Sequence, residues 1–462
     1  MKPTRKRIHF ELSERKLLLR LFDVMVVLGA MYLLNSYLSF SYLKISINEW
    51  FSIVILSLYL LFFGQLFELY HLQKASKFET VISGVLLTTF FVVPVFLLTP
   101  VFAPIIPKQR TQLLLFFVGV LIPLLSWRLF YAHFLASHRF EKSILLIAKH
   151  DQVEALCEGL KNEDPHFHIK GYFDPSGINS SQSGIAGLHF DELTDFLKRN
   201  TIAEIVVALR EPELITVPLY QFLIKQVESG MIIREYSQVY EERTLRIPVQ
   251  YLAKDFYRYF PFSRNNHNRL YLFYTRSVEL IIAVLGLSIG LLFIPFIMLL
   301  NGVANPGPLL YFQDRIGRNG RVFSILKLRT MVVNAEQNGA AFAKQNDRRI
   351  TPFGKLLRRT RFDEFPQFYN IIRGDMALIG PRPERAVFVE QIADQMPFYE
   401  TRHVVRPGIT GWAQVNYSYG ESVEDSLVKL QYDLYYIKHR GFFIDVIIIL
   451  KTMKTILFYR GQ

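Results

Sequence analysis

The chain carries one cysteine, Cys157, in 462 residues. That excludes a disulfide framework and any cysteine-based zinc or iron–sulfur site. Acids are also in short supply: 40 Asp and Glu stand against 53 Lys and Arg, a formal net charge of +13. Charge of either sign is thin, at 20% of residues, while 51% are hydrophobic and 15% aromatic. This much apolar surface rules out a disordered chain. A mean hydropathy of +0.20 alongside a basic balance is unusual for a soluble globular protein. The combination points to a membrane, with anionic lipid or phosphate on its cytoplasmic side. No feature asks for a nucleic-acid partner.

What is present begins with long apolar runs. Four of them, at about 17–38, 50–70, 81–103 and 112–135, approach the roughly 20 residues that a bilayer core requires. The first carries Arg20 and Asp23, which places its start at the interface. The third contains Pro94 and Pro100, which membrane helices tolerate better than soluble ones. Lys2, Arg5, Lys6, Arg7, Arg15 and Lys16 precede the first run, so the positive-inside rule puts the N-terminus in the cytoplasm. No small-residue cleavage site follows, so the run reads as a span and not a signal peptide. Four crossings return the chain to the cytoplasm near Arg139 and Lys142.

Residues 141–260 read as a small α/β domain. Strand-like SILLIA (143–148), IKGYFD (169–174), AEIVVAL (203–209) and MIIREY (231–236) alternate with segments of helical spacing. That alternation predicts a parallel, doubly wound, Rossmann-like sheet. The turn after the first strand, Ala148 to Gln152, has no glycine, so its backbone cannot approach a pyrophosphate closely. The expectation is a degenerate domain with a regulatory or dimerising role, and a homodimer is a partner it allows. His150, Cys157, His166 and His168 read as ordinary loop or helix residues.

A fifth apolar run, 278–300, is long enough to span, but Pro295 sits well inside it. Residues 301–462 hold 23 Lys and Arg against 15 Asp and Glu. Arg276 precedes the run, and Arg315, Arg318 and Arg321 follow it. Positive flanks on both sides favour two cytoplasmic ends, hence a re-entrant hairpin kinked at Pro295.

The chemistry-bearing motifs follow: NPGPLLYFQDRIGRNGRVFSILKLRTM (305–331), RRITPFGKLLRRTRFDEFPQFYNIIRGDMALIGPRPE (348–384) and RPGITGWAQVN (406–416). Arginine forks and lysine point charges interleaved with Gly and Pro turns suit phosphate oxygens. A surface meant only to grip lipid phosphate has no need of acids, yet Asp363 and Glu364 stand inside the basic run. Acids there suggest a metal ligand together with a nucleophile or base. Pro366 predicts a helix start with Asp363 as its N-cap, whose positive end would favour a phosphate. Mg²⁺ needs only one or two carboxylates plus phosphate oxygens.

KLRTM, DEFPQFYNIIRGDMALIGPRPE and PGITGWAQVN resemble the bacterial sugar transferase family, the monotopic phosphoglycosyl transferases, over roughly residues 270–462. The full layout resembles the long members, undecaprenyl-phosphate glucose- or galactose-phosphotransferases that start exopolysaccharide, capsule or O-antigen units. The resemblance implies that Asp363 attacks the β-phosphorus of a UDP-sugar, most readily UDP-glucose. UMP leaves, and undecaprenyl phosphate then takes the phosphosugar from the enzyme. Glu364 would hold Mg²⁺. Lys327, Arg329 and Arg382 would grip the diphosphate, with Arg358 and Arg361 as weaker candidates. Trp412 and Gln414 would shape the pocket or meet lipid, and Asp375 would be structural.

The expected architecture is a membrane protein. An N-terminal four-helix transmembrane bundle (1–140) precedes the Rossmann-like α/β middle domain (141–260). A C-terminal, mainly α catalytic domain with a re-entrant membrane helix hairpin (261–462) follows. Its partners would be the UDP-sugar, undecaprenyl phosphate and membrane lipids, and its place the bacterial inner membrane with the catalytic domain cytoplasmic. Two competitors are a membrane-anchored nucleotide-sugar-modifying enzyme, which needs the absent glycine turn, and a non-catalytic polysaccharide-assembly scaffold, which has no use for Asp363 and Glu364.

Overall fold

A computed structural model of the protein describes residues 12–38, 40–70, 75, 78–99, 101–135, 142–161, 167–178, 180–181, 184–209, 211–249, 266, 268–335, 347–396, 398–417 and 423–457. The basic residues before position 12, with Pro100, Arg139 and His166, lie outside them. The chain divides into two compact units, Met1–Leu209 with Glu213–Ile233, and Arg210–Pro212 with Arg234–Gln462.

The first unit opens with α1 (Leu12–Tyr37), α2 (Trp50–Leu66), α3 (Phe78–Leu97) and α4 (Arg110–Phe130). The four apolar runs of the sequence fall on these helices, each long and apolar enough to cross a membrane. Val27, Met31, Val85, Val92, Phe96, Phe116 and Val120 pack between them. Leu17, Leu21, Met25, Phe90 and Leu114 face outward. Apolar side chains on both the inside and the outside of several helices fit a membrane protein. Asp23 is wholly buried rather than held at the start of the run by water. Its Oδ1 accepts from Arg128 Nε at 2.9 Å and its Oδ2 from Arg128 Nη2 at 2.5 Å, while Arg128 Nη1 donates to the Leu69 carbonyl at 2.8 Å. A bidentate pair is what lets two charges sit among apolar helices.

The α/β part alternates as its sequence predicts. It runs β1 (Lys142–Ile147), α5 (Val153–Lys161), β2 (Phe167–Phe173), β3 (Ala186–Leu188), α6 (Leu193–Arg199), β4 (Glu204–Val207), α7 (Val217–Glu228) and β5 (Ile232–Glu235). The sheet order is β3-β2-β1-β4-β5, with β1 parallel to β2 and β4, and β2 parallel to β3. β3, at three residues, is too short to leave a sequence signal. The glycine-free turn after β1 is closed on Asp174, just past β2. Oδ2 of Asp174 accepts from the His150 amide at 2.7 Å, and Oδ1 from the Ser176 amide and hydroxyl at 2.8 and 2.7 Å. An acid after the second strand is what a dinucleotide's ribose normally meets; here both its oxygens are occupied by the protein.

The second unit begins with α8 (Tyr236–Thr244), and Ile247 and Val249 enter its core beside Phe388, Trp412, Leu434 and Ile448. Its longest element is α9 (Arg269–Ala304), started by Asn268, whose side chain accepts from the amides of Leu270 and Tyr271. After α9 come the antiparallel hairpin β6 (Leu310–Ile316) and β7 (Val322–Leu328), then α10 (Pro352–Arg359), α11 (Gln367–Arg373), β8 (Ala377–Ile379) and α12 (Ala386–Ala393). The unit ends with β9 (Gly408–Thr410), parallel to β8, then α13 (Trp412–Asn416), α14 (Val423–His439) and α15 (Phe442–Leu457).

One stripe of α9 is covered along most of its length. Arg276 donates to the carbonyls of Ile371 and Ile372 at 2.8 and 3.0 Å, closing the end of α11. Glu279 accepts from Arg406 at 3.1 Å. Ala283 packs with Phe323, Ile325 and Ile371, and Ile297 with Leu328, Phe353 and Phe365. Between them, Gly286 and Gly290 leave room for the rings of Phe368 and Phe365; a Cβ at Gly290 would lie 2.1 Å from Phe365. Positions 276, 279, 283, 286, 290 and 297 recur at alternating threes and fours or their sum, which keeps one helix face toward the domain. The other faces expose Ile281, Leu285, Leu292, Phe296 and Leu299. Pro295 lies on this exposed side, inside a helix that continues to Ala304.

Candidate active site

The Asp363–Glu364 turn is built between two short helices. Thr351 caps α10, its hydroxyl accepting from the Gly354 amide at 3.0 Å, with Pro352 at the first helical position. α10 ends before Arg361, which takes the left-handed conformation at φ 58°. A 3-10 turn, Phe362–Glu364, follows and runs through Phe365 and Pro366 into α11. Asp363 is therefore not the cap that its sequence suggests. Pro366 occupies the cap position of α11, and Asp363 is the middle residue of the preceding turn. The left-handed residue at 361 starts the coil early, and a non-glycine residue there carries backbone strain of the kind found at functional sites.

Glu364 is buried, and its two oxygens are gripped separately. Oε1 accepts from Arg382 Nη2 at 2.9 Å and Oε2 from Arg361 Nη1 at 3.2 Å. Burial pushes this carboxyl up, but the charges of Arg382, Arg361 and Lys327 outweigh it and hold Glu364 well below the usual carboxylate range. Asp363 behaves oppositely. Burial and the adjacent Glu364 charge raise it to about 6, against the pull of Lys327, Arg358 and Arg361. Asp363 accepts no hydrogen bond among the described residues. Two neighbouring carboxyls with proton affinities driven apart is how an active site assigns different tasks to like groups.

Lys327, on β7 opposite Tyr311, stands near both acids with no hydrogen-bond partner among the described residues. Burial and the Arg382 charge lower it to about 8. Arg358 spends one donor, Nε, on the Thr330 hydroxyl at 2.9 Å and adds its charge beside Asp363. The Pro-Arg-Pro loop carrying Arg382 is tied to the hairpin. Arg315 donates to the Pro383 carbonyl at 3.2 Å, and the Ile316 amide to the Glu384 carbonyl at 2.9 Å. Lys327, Arg358, Arg361 and Arg382 thus gather around Asp363 and Glu364.

Arg329 does not. The sequence reading puts it at the diphosphate; the structure uses its guanidinium on the backbone where α9 ends. Nε donates to the Pro308 carbonyl at 2.7 Å, Nη1 to the Asn305 side chain at 3.0 Å and the Met331 carbonyl at 2.9 Å, and Nη2 to the Asn305 carbonyl at 2.5 Å. Asn305 in turn donates to the Arg329 carbonyl and to Asn301. Lys327 and Arg329 are two apart on an extended segment and could be expected to share a face, but buried acceptors at the helix exit outcompete a solvent-facing ligand. Trp412 is likewise interior, its Nε1 donating to the Leu245 carbonyl at 3.1 Å, and Gln414 donates to the Ile409 carbonyl at 2.9 Å. Asp375 forms a local ion pair with Arg373 at 2.9 Å. Motif reading passes over Arg315, Arg402 and Asp433, which brace the Arg382 loop from beneath. Nothing local distinguishes them in the sequence, since the contacts that tie them to this loop and to each other join positions 20 or more apart.

The donor set suits a hard cation in one limited way. Among the described residues no group of three or more His, Cys, Asp or Glu converges. Glu364, held ionised with a lone pair left on each oxygen, and the adjacent Asp363 match the one or two carboxylates with which Mg²⁺ is held alongside ligand phosphates.

Residues 270–459 match the family model described as bacterial sugar transferase. The UDP-N-acetylgalactosamine-undecaprenyl-phosphate N-acetylgalactosaminephosphotransferase of Aeromonas hydrophila is 38% identical over 240 residues, 51% of this chain and 55% of its own. A candidate undecaprenyl-phosphate N-acetylgalactosaminyl 1-phosphate transferase of Bacillus subtilis (strain 168) is 40% identical over 141 residues, 30% of this chain and 79% of its own. The UDP-glucose:undecaprenyl-phosphate glucose-1-phosphate transferase of Escherichia coli (strain K12) is 36% identical over 180 residues, 38% of this chain and 39% of its own. The chain thus spans about half the length of the first of these relatives and less of the third.

Proposed function

Because the chain belongs to the bacterial sugar transferase family, we propose that it transfers a sugar 1-phosphate from a UDP-sugar to undecaprenyl phosphate and releases UMP, the first membrane step of an exopolysaccharide, capsule or O-antigen. The observation that carries the reading is the split pair: Asp363, unbonded and raised in proton affinity, beside Glu364, clamped and ionised, within a ring of four cations. A deprotonated Asp363 Oδ attacks the β-phosphorus. The bond from that phosphorus to the bridging oxygen breaks, and UMP leaves with the electron pair. An oxygen of undecaprenyl phosphate then attacks the same phosphorus and expels Asp363, giving undecaprenyl diphospho-sugar. A carboxylate nucleophile divides one displacement into two. Lys327, Arg358, Arg361 and Arg382 neutralise the charge that the phosphoryl oxygens carry through both. Glu364 would hold Mg²⁺, which when bound supplies further neutralisation of the diphosphate.

The names of the relatives carry both N-acetylgalactosamine and glucose. UDP-glucose and UDP-N-acetylgalactosamine are accordingly the two donors to set against each other.

The membrane arrangement supports the same reading. The covered stripe of α9 from Arg276 to Asn301 is about 37 Å long at 1.5 Å per residue, longer than a hydrocarbon core of about 30 Å. A true crossing would draw the domain packed along that stripe, with its charged site, into lipid. Insertion of the exposed apolar faces of α9 into one leaflet keeps Asp363 at the cytoplasmic headgroup level. There a soluble nucleotide-sugar and a lipid phosphate can both reach it.

The decisive test is UMP release by purified protein supplied with UDP-glucose, UDP-N-acetylgalactosamine or UDP-galactose, with and without undecaprenyl phosphate. Asp363→Asn should release no UMP with any donor. Turnover by that variant at the wild-type rate would sink the mechanism.

A further inference from the structure

We infer that Arg402 is a positioning residue for the transfer reaction, acting through Arg382 from beneath the site. The inference rests on the proposed reaction and adds to it a residue that never meets substrate. Arg402 lies in the short 3-10 segment Tyr399–Val404 and is 5% exposed. Its Nη2 donates to the backbone carbonyl of Arg382 at 3.0 Å. The same nitrogen lies 2.7 Å from Oδ2 of Asp433, itself buried on α14, and Nη1 donates to the Tyr399 hydroxyl at 2.6 Å.

Arg382 in turn reaches Oε1 of Glu364 at 2.9 Å. Asp433, Arg402, Arg382 and Glu364 are therefore joined, through two ion pairs and one hydrogen bond to the Arg382 backbone, from the interior of the unit to the reacting pair. Three of its members are buried, and only Arg382, a third exposed at its side chain, opens to the site.

The geometry explains why a buried charge pair stands here at all. Replacing such a pair with apolar residues is often neutral or stabilising, so its presence is weak evidence for stability. What the guanidinium provides instead is a fixed donor under the peptide of Arg382. The Arg382 loop follows β8 and carries two prolines, Pro381 and Pro383. Proline contributes no amide hydrogen, so this loop has few donors of its own with which to fix its path. The loop is held through its carbonyls: Arg402 takes that of Arg382 and Arg315 that of Pro383. The Arg382 backbone sets the origin of a long side chain, and a displacement of about 1 Å there is enough to break a 2.9 Å contact with Glu364.

The test is a double-mutant cycle on the full-length protein in detergent, read as kcat and KM for UMP release beside the thermal midpoint. Arg402→Gln should lower kcat/KM about tenfold or more in the wild-type background. It should change kcat/KM by less than about twofold in the Arg382→Gln background, because the group it positions is already gone. A merely structural role would lower activity by the same factor in both, and that result overturns the inference. Should Arg402→Gln fail to fold because it strands the Asp433 charge, the pair Arg402→Gln with Asp433→Asn replaces it in the cycle with the same two expectations. Arg402→Lys, which keeps the charge but not the fork, should recover only part of the loss. A wild-type protein that releases UMP while the cycle is additive sinks this inference alone. A wild-type protein that releases no UMP from any UDP-sugar sinks the reaction and this inference with it.

Discussion

Asp363 and Glu364 are adjacent in sequence and chemically the same, yet their surroundings give them opposite characters. Glu364 has two guanidiniums on its oxygens, whereas Asp363 has cations near it but none bonded. The reaction should therefore show a bell-shaped pH profile. Its acid limb belongs to Asp363: below about 6 the carboxyl is protonated and cannot attack, so the rate rises through that pH. Its alkaline limb belongs to Lys327: above about 8 the ammonium loses its proton and its hold on the diphosphate, so the rate falls. Lys327→Arg should carry the alkaline limb far upward, since a guanidinium stays charged throughout; an unmoved limb would exclude Lys327 as its source. The neighbouring Arg329 should behave differently. Arg329→Lys should lower the thermal midpoint, with a loss of about 1–3 kcal/mol from acceptors left unpaired. Lys327→Met should leave the midpoint in place and raise KM for the UDP-sugar. The motif KLRTM displays both residues equally. Their division of labour could not be read from it, because the acceptors that claim Arg329 sit at Asn305 and Pro308, across a turn of the chain.

At the level of elements, the Asp363–Glu364 turn is only as well placed as the helix it rests on. Phe365 directly follows Glu364, and its ring fills the space over Gly290 of α9, while Phe368 fills that over Gly286. Gly290→Ala should therefore cost about 1–3 kcal/mol of stability by overpacking. It should also reduce kcat more than an alanine-to-valine change on the exposed face of α9, at Ala304, for example. Equal, small effects from the two changes, measured as thermal midpoint and UMP release, would argue that the turn is positioned independently of α9. The run 278–300 is plainly visible in the sequence as an apolar helix, and its two glycines break no pattern there. Their meaning came from the partner: the rings of Phe365 and Phe368, three positions apart, are delivered by a segment some 75 to 82 residues later. The strands behaved in the same way. β1, β2, β4 and β5 were legible from short apolar runs, while β3 and the pairing of β8 with β9 were not, at three residues each.

For the whole chain, the matter at stake is which side of the membrane the chemistry occupies. If α9 inserts its exposed faces into one leaflet without crossing, its C-terminal end is cytoplasmic. A cysteine placed at the exposed Gly302, in a background where the buried Cys157 is replaced by alanine, should react with an impermeant thiol reagent only in inverted vesicles or broken cells. Labelling in intact cells would mean a crossing and would move the catalytic domain outside. Removal of divalent cations with a chelator should abolish UMP release, with Mg²⁺ restoring it; unimpaired release in the chelator would assign Glu364 to Arg382 and Arg361 alone.

The sequence by itself determined the long apolar helices, the α/β alternation and the pair of acids proposed to react. These are properties of local composition and spacing: apolar length, a two- or 3.6-residue period, and acids standing in a basic run. Only the tertiary structure decided which of the many arginines face the acids, which are spent on backbone carbonyls, and how Asp363 and Glu364 come to differ. A guanidinium has five donors and no fixed allegiance, so its role follows from whichever acceptors the fold brings within 3 Å. The excess of positive charge was visible from composition, but its focus on a single pair of carboxyls required the fold.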